Sequence, residues 1–253
     1  MRKYMKKKIL VTNDDGIHSE GITTLAASLK PLGEVWVVAP DRERNAVGRS
    51  LTLHRPLRIQ NNALRRFAVN GTPTDCVMLG INWIMKVRPH LVVSGINKGL
   101  NLGEDISYSG TVSAAMEATL LGIPAFAISL DTNGGVSFKP TAQFAVRLAR
   151  YVLKHGMPAN TLLNVNVPNT RGGKIDCYRI TRQGRRIQSG MVAEKVDPRG
   201  DKYYWIGGGT WKKYEDIENC DFKAVDDNCI SITPLHLDHT NYSLFPEITK
   251  WKI

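Results

Sequence analysis

The sequence predicts an α/β protein: a Rossmann-like, doubly wound, mostly parallel sheet with C-terminal β-hairpin extensions. Three observations predict it. Short apolar runs alternate with segments of helical spacing through the first two thirds of the chain. Those runs are continuously apolar rather than alternating, which is the pattern of strands covered on both faces. Near residue 175 the alternation gives way to short β-prone runs, glycine turns and many charges.

The elements follow in order. "KKILVTN" reads as a strand, and "GITTLAASLKPLG" as a helix carrying Ile22, Leu25, Ala26 and Leu29 on one side and stopped by Pro31 and Gly33. "EVWVVAP" is a second buried strand and "PHLVVSGIN" another. "GTPTDC" follows a short strand and begins a helix, with Thr74 or Asp75 expected to cap it. "TVSAAMEATLLG" is a helix closed by Gly122, "PAFAISL" a strand, "TAQFAVRLARYVLKHG" a long amphipathic helix closed by Gly156, and "TLLNVNVP" a further strand. Residues 1–174 are thus expected to form the α/β domain. Residues 175–253 are expected to form a hairpin and tail region that completes it and mediates oligomerisation. The tail follows a last strand, "CISITPL", and carries Leu244, Phe245, Ile248, Trp251 and Ile253, which favour burial. "GGG" at 207–209 lacks the strand-then-helix setting of a phosphate loop and reads as a turn.

Composition narrows the class. The chain has 253 residues, 42% hydrophobic and 23% charged, as ordinary globular proteins do. It holds no apolar run of about 18 residues, so no membrane span is expected. The basic start "MRKYMKKKILVT" has too short an apolar stretch for a signal peptide and reads as a cytoplasmic N-terminus. Cys76, Cys177, Cys220 and Cys229 form no CxxC pair, which argues against zinc and predicts free thiols in a reducing compartment. The net charge of +11 is spread between Lys3, Lys6, Lys7, Lys8 and the stretch "TRQGRR" with Arg182, Arg185 and Arg186. It forms no basic stripe interleaved with aromatics, so a solvated positive surface is expected rather than a nucleic-acid groove.

Ligands of doubly wound sheets bind beyond the carboxyl ends of the strands. "TNDDG", "APDRERN" and "SGINKG" each follow a strand and share that edge. Asn-Asp-Asp-Gly is good turn chemistry, and Gly16 suits a positive φ. Yet Asp14 and Asp15 are adjacent carboxylates near a core, where unpaired charge is costly. Asn45 and Asn97 stand at neighbouring strand ends. Two carboxylates and two amide oxygens make an oxygen-only shell suited to a hard divalent cation such as Mg²⁺ or Mn²⁺. Ser109, Gly110 and Thr111 precede a helix. They can cap it, or expose backbone N–H groups to an anion at the positive end of its dipole. His18 reads as a polar group leading the first helix, and His236 and His239 have no metal-type partners in sequence.

The stretches "TNDDGIHSEGI", "VVAPDRERNAVGRSLTL", "VNGTPTDCV", "VVSGINKGLNLGEDISYSGTVSAAMEA" and "SITPLHLDHT" together resemble the SurE family of stationary-phase survival-protein nucleotidases. The resemblance spreads over most of the chain and is thinnest near 180–225. It implies a divalent-metal-dependent phosphatase acting on nucleoside monophosphates, with one ion per subunit. It implies metal ligands at Asp14, Asp15, Asn45 and Asn97, and substrate contacts at Gly16, Asn101, Ser109, Gly110 and Thr111. Many relatives carry serine where this chain has Asn45. It also implies a homodimer or homotetramer with exchanged C-terminal segments. Asp14 or Asp15 would be catalytic, either accepting a proton from water or attacking phosphorus. Water is the expected nucleophile, because two aspartates engaged with a cation are poor ones. A non-catalytic Rossmann-like nucleotide-binding module is the competing class.

Overall fold

The structure is a computed structural model that describes residues 6–135, 137–169, 177–187, 192–206 and 214–252. The turn expected at 207–209 lies outside them, as do Lys3 and Ile253.

The apolar runs form a nine-stranded sheet. In chain order the strands are β1 (Lys8–Thr12), β2 (Glu34–Pro40), β3 (Ile59–Ala63), β4 (Arg66–Val69), β5 (Leu91–Lys98), β6 (Ala125–Leu130), β7 (Thr161–Val167), β8 (Tyr178–Ile180) and β11 (Ile230–His236). The strands β9 (Val192–Val196) and β10 (Lys202–Ile206) pair with each other as a separate antiparallel hairpin. The spatial order of the large sheet is β3-β4-β2-β1-β5-β6-β7-β11-β8. Its centre, from β4 to β7, is parallel throughout. β3 and β11 pair antiparallel to β4 and β7, so the strand closing the chain returns to the main sheet.

Helices cover both faces. They are α1 (Glu20–Leu29), α2 (Pro73–Leu79), α3 (Gly110–Leu120) and α4 (Lys139–His155), followed by the short α5 (Asp221–Asp226) and a final turn, α6 (Phe245–Ile248). Alternation within β1 shows the two layers. Ile9 and Val11 pack with Ile22, Leu25 and Leu29 of α1 and with Ala145 and Val152 of α4. Leu10 packs on the other face with Val77 of α2 and Val112 and Ala115 of α3. All three β1 side chains are fully buried, which is why the run is apolar without alternation.

The chain leaves β1 for β2 on one side, then returns to place β5 on the other. The carboxyl ends of β1 and β5 therefore flank the topological switch point, where open sheets of this kind form their crevice. Their register pairs Thr12 with Ser94, so residues 13–15 emerge beside residues 95–98.

Two expectations are corrected. The cap of α2 is Thr72, not Thr74 or Asp75. Its hydroxyl accepts from Asp75 N–H, while the Asp75 carboxylate accepts from Thr72 N–H. Pro73 stands at the first helical position, where its missing N–H costs nothing, and this places the cap at Thr72, two residues before Thr74. The cysteines are not all free thiols. Cys177 and Cys229 form a disulfide that ties the entry of β8 to the start of β11, while Cys76 and Cys220 are free and buried. A parallel β8–β11 pairing brings the two residues together from 52 positions apart, a contact that spacing in the sequence does not announce.

Candidate active site

Asp14 is almost fully buried and Asp15 half-buried at the switch point. Each is held by backbone or hydroxyl donors. Thr111 N–H donates to Asp14 Oδ2 at 3.0 Å, and Thr111 Oγ1–H donates to Asp14 Oδ1. The first turn of α3 thus grips both oxygens of one carboxylate and lends it the positive end of the helix dipole. Lys98 N–H, at the end of β5, donates to Asp15 Oδ2 at 3.1 Å.

Close packing fixes this arrangement. A Cβ on Gly110 would lie 2.9 Å from Asp14 Cβ and 3.1 Å from Pro73 Cγ, so only glycine lets α3 approach Asp14 this closely. Gly16 has φ +93°, and a Cβ there would lie 3.0 Å from the carbonyl carbon of Arg42. The loop after β2 roofs this turn: Arg44 N–H donates to Asp14 O, and Ile17 N–H to Pro40 O, both at 2.8 Å. Asn13 Nδ2 ties the turn to Gly16 O and Ser19 Oγ, while its Oδ1 is buried with no hydrogen-bond partner.

Burial raises the pKa of Asp14, against the lowering effect of the Thr111 hydrogen bonds. Asp15 is pushed up to about 6, first by burial and then by the charge of Asp14, with Lys98 N–H opposing. The repulsion inferred from the sequence is therefore present in the fold.

The remaining predicted residues are placed differently from one another. Asn97 is buried, and its Nδ2 donates to Gly99 O at 2.9 Å, which leaves Oδ1 as its acceptor atom. Asn45 is exposed, and its amide nitrogen donates to Glu43, so the described contacts do not bring it to the aspartates. Ser109 caps α3 by accepting from Val112 N–H, and Thr111 spends its donors on Asp14. Asn101 is buried in a network rather than open to solvent. Its N–H donates to Asn166 Oδ1, its Nδ2 donates to Ser129 Oγ, and its carbonyl accepts from Asn164 and Asn166.

Sequence reasoning missed that network and its neighbour Asp221. The Asp221 carboxylate accepts from Gly103, Gly184 and Phe222 N–H groups and so fastens the loop after β5 to the C-terminal region. Asn164 and Asn166 were visible as two polar residues inside the otherwise apolar "TLLNVNVP". Asp221 gave no signal. Arg186 ion-pairs with Asp105 inside the chain, which offsets part of the positive charge of "TRQGRR".

An acid whose folded pKa is raised holds more protons folded than unfolded between its ordinary value and the raised one. For Asp15 that window runs from 3.8 to about 6, so the metal-free chain loses stability as pH rises through it. Partial exposure screens the effect, leaving on the order of 1–2 kcal/mol. Thermal unfolding of metal-free protein from about pH 4 to 7 should show the decline, and Asp15→Asn should flatten it. A metal-free Asp15→Asn protein less stable than the parent at neutral pH would contradict the repulsion.

Residues 9–190 match the family model described as Survival protein SurE. The protein named 5′-nucleotidase SurE from Geobacter sulfurreducens is 55% identical over 246 residues, covering 97% of this chain and 94% of the relative. Its namesake from Myxococcus xanthus is 51% identical over 249 residues, covering 98% and 94%. The crystal structure of the SurE protein from Aquifex aeolicus superposes with a TM-score of 0.86 at 44% identity, over 96% of this chain and 98% of that one. Fold, motif order and similarity along nearly the whole length agree: this chain belongs to the SurE family.

Proposed function

We propose that this chain hydrolyses nucleoside monophosphates to nucleoside and phosphate, as a 5′-nucleotidase dependent on a divalent metal. Nucleotides with a 3′-phosphate and the ends of polyphosphate are further substrates to test. One observation carries the reading: two aspartates held by donors of α3 and β5 at the switch point of the sheet, in a chain more than half identical to proteins named 5′-nucleotidase.

Asp14, Asp15 and Asn97 would hold one Mg²⁺ or Mn²⁺ per subunit, with Asn45 completing the shell once its loop side chain turns inward. The donor set fits a hard cation, since every candidate atom is oxygen. No group of three His, Cys, Asp or Glu side chains stands ready for a metal among the described residues, so amide oxygens must complete the shell. The unpartnered Asn13 Oδ1 adds a buried acceptor beside the pair. When bound, the ion supplies an acidified water and neutralises charge on the phosphoryl oxygens.

The chain's own groups do the rest. Asp14, with both oxygens bonded to Thr111, is the fixed member of the pair. Asp15 has one oxygen outside its bond to Lys98 N–H and can take the proton of the attacking water. The dipole of α3 favours negative charge at the phosphoryl position. A non-catalytic nucleotide-binding module fits less well, because acids stand where the glycines of a pyrophosphate-binding turn would lie.

We assign the chain to the cytoplasm on the nucleotidase reading, although the Cys177–Cys229 disulfide is of a kind that oxidising compartments maintain. No helix among the described residues is long and apolar enough to cross a membrane. Tyr242, Leu244, Phe245, Ile248 and Trp251 are each at least 40% exposed. Leaving such a tail in water forgoes several kcal/mol at ~25 cal/mol per Å² of apolar area. A second copy of the chain covering it, in a homodimer or homotetramer, accounts for the apolar sequence.

Exhaustive chelation should abolish release of phosphate from nucleoside monophosphates, and Mn²⁺ or Mg²⁺ should restore it. Asp14→Asn or Asp15→Asn should lower kcat by roughly two orders of magnitude. Full turnover in protein shown to be metal-free would refute the reading. Light scattering should find an oligomer for the full chain and a smaller species for a chain ending near residue 240; a monomeric, active full-length chain would refute the role of the tail.

A further inference from the structure

A phosphate held at Asp14 and Asp15 leaves a nucleoside that must leave the site in some direction. Two directions are closed. On the β2 side the loop from Asp41 to Asn45 roofs the aspartate turn, through Arg44 N–H on Asp14 O and the backbone of Arg42 over Gly16. On the α2 side Pro73 packs against Gly110. On the third side, beyond the ends of β5 and β6, lies a cleft of about 520 Å³ lined from Gly99 onward. That volume lies within the range of small-molecule sites.

The cleft begins at Gly99, two residues beyond Asn97. Their Cα atoms are therefore no more than about 7.6 Å apart, within reach of the sugar of a nucleotide whose phosphate sits at the metal site. Gly99 N–H donates to Leu130 O at 2.8 Å, which sets Asp131, the residue following β6, on the same rim. The walls are mixed, and the Arg186–Asp105 ion pair and Asp226, which accepts from the Tyr214 hydroxyl, also line them. Leu100, Tyr214 and Phe222 give apolar and aromatic surface, with the two rings stacked at 4.9 Å between centroids. Asp131 and Asn133 give a polar edge. Asp131 Oδ1 accepts from the backbone and side-chain amides of Asn133, so a local turn orients the carboxylate and its Oδ2 remains to accept from a ligand. A flat apolar wall suits a base, and a carboxylate at a strand end suits vicinal ribose hydroxyls, which are paired donors.

We infer that this cleft is the nucleoside subsite, with Asp131 accepting hydrogen bonds from the ribose hydroxyls and the wall of Leu100 and Tyr214 taking the base. The inference rests on the nucleotidase reading and adds to it a specificity-determining residue. Asp131 discriminates ribonucleotides from 2′-deoxyribonucleotides, and it contributes nothing to substrates that lack the sugar.

Steady-state kinetics on the full-length, metal-loaded enzyme test this with adenosine 5′-monophosphate, its 2′-deoxy analogue and p-nitrophenyl phosphate. Removing hydrogen bonds to a charged acceptor should lower kcat/KM for the ribonucleotide at least about tenfold in Asp131→Ala, chiefly through KM. The same variant should leave p-nitrophenyl phosphate unchanged and bring the ribonucleotide level with its deoxy analogue. Asp131→Asn keeps an oxygen for the Asn133 turn and should reproduce the loss if the fold of Asp131→Ala suffers. Tyr214→Leu should weaken both nucleotides and spare p-nitrophenyl phosphate. Equal losses on all three substrates, or no change on any, would overturn the subsite. Parent enzyme that cleaves p-nitrophenyl phosphate but no nucleotide would instead refute the nucleotidase reading, and the subsite with it.

Discussion

Everything at the carboxyl edge of the sheet depends on one electrostatic constraint: two adjacent carboxylates placed where water is scarce. Burial raises the cost of ionising both, and the charge of Asp14 raises it further for Asp15. The fold answers chiefly with fixed donors rather than with an ion pair. Thr111 supplies a hydroxyl and an N–H from the first turn of α3, and Lys98 contributes its backbone N–H, with its ammonium adding a smaller attraction to Asp15. These donors orient the pair without neutralising it. A site so arranged retains its affinity for a cation, which an internal salt bridge would have cancelled.

The surrounding shell keeps that pair in place. Gly110 allows α3 to approach, and any larger residue would push its N-terminus off Asp14. The connection between β5 and α3 holds one short 3-10 helix, Gly103–Ser107, and much of it is buried, so its remaining backbone groups need partners. Asn101 meets that need through Ser129, Asn164 and Asn166 on the ends of β6 and β7, and Asp221 does the same for Gly103. The C-terminal region thus reaches the site without contributing to the aspartate pair. β11 extends the sheet, and Asp221 secures the loop on which Asn97 and the neighbouring cleft depend.

The fold class was legible because buried parallel strands and amphipathic helices write their periods directly into the chain. β1, β2, β5, β6 and β7 lie where their apolar runs lie. β3 was not legible: "IQNNA" is exposed along its whole length and carries no apolar face. The site was legible where charge sat out of place, at Asp14 and Asp15, and less so where a residue acts through another. Thr111 could be read as a cap or an anion donor, but its bond to Asp14 depends on a helix 97 residues away in sequence. The disulfide and the Asp221 staple are long-range contacts of the same kind, and single-residue chemistry does not encode them. Asn45 read as one of four converging oxygens, whereas its side chain turns to Glu43 at the surface of its loop.

The central claim is that the uncompensated pair is completed by a cation. Calorimetric titration of Mn²⁺ into metal-free protein at about pH 5 and pH 8 tests it most directly, because a carboxylate must be deprotonated to bind a metal. The account predicts one ion per chain, bound more tightly at the higher pH, with proton release at the lower pH and with binding lost in Asp14→Asn. Absence of binding at either pH, or affinity indifferent to both pH and the substitution, would contradict it.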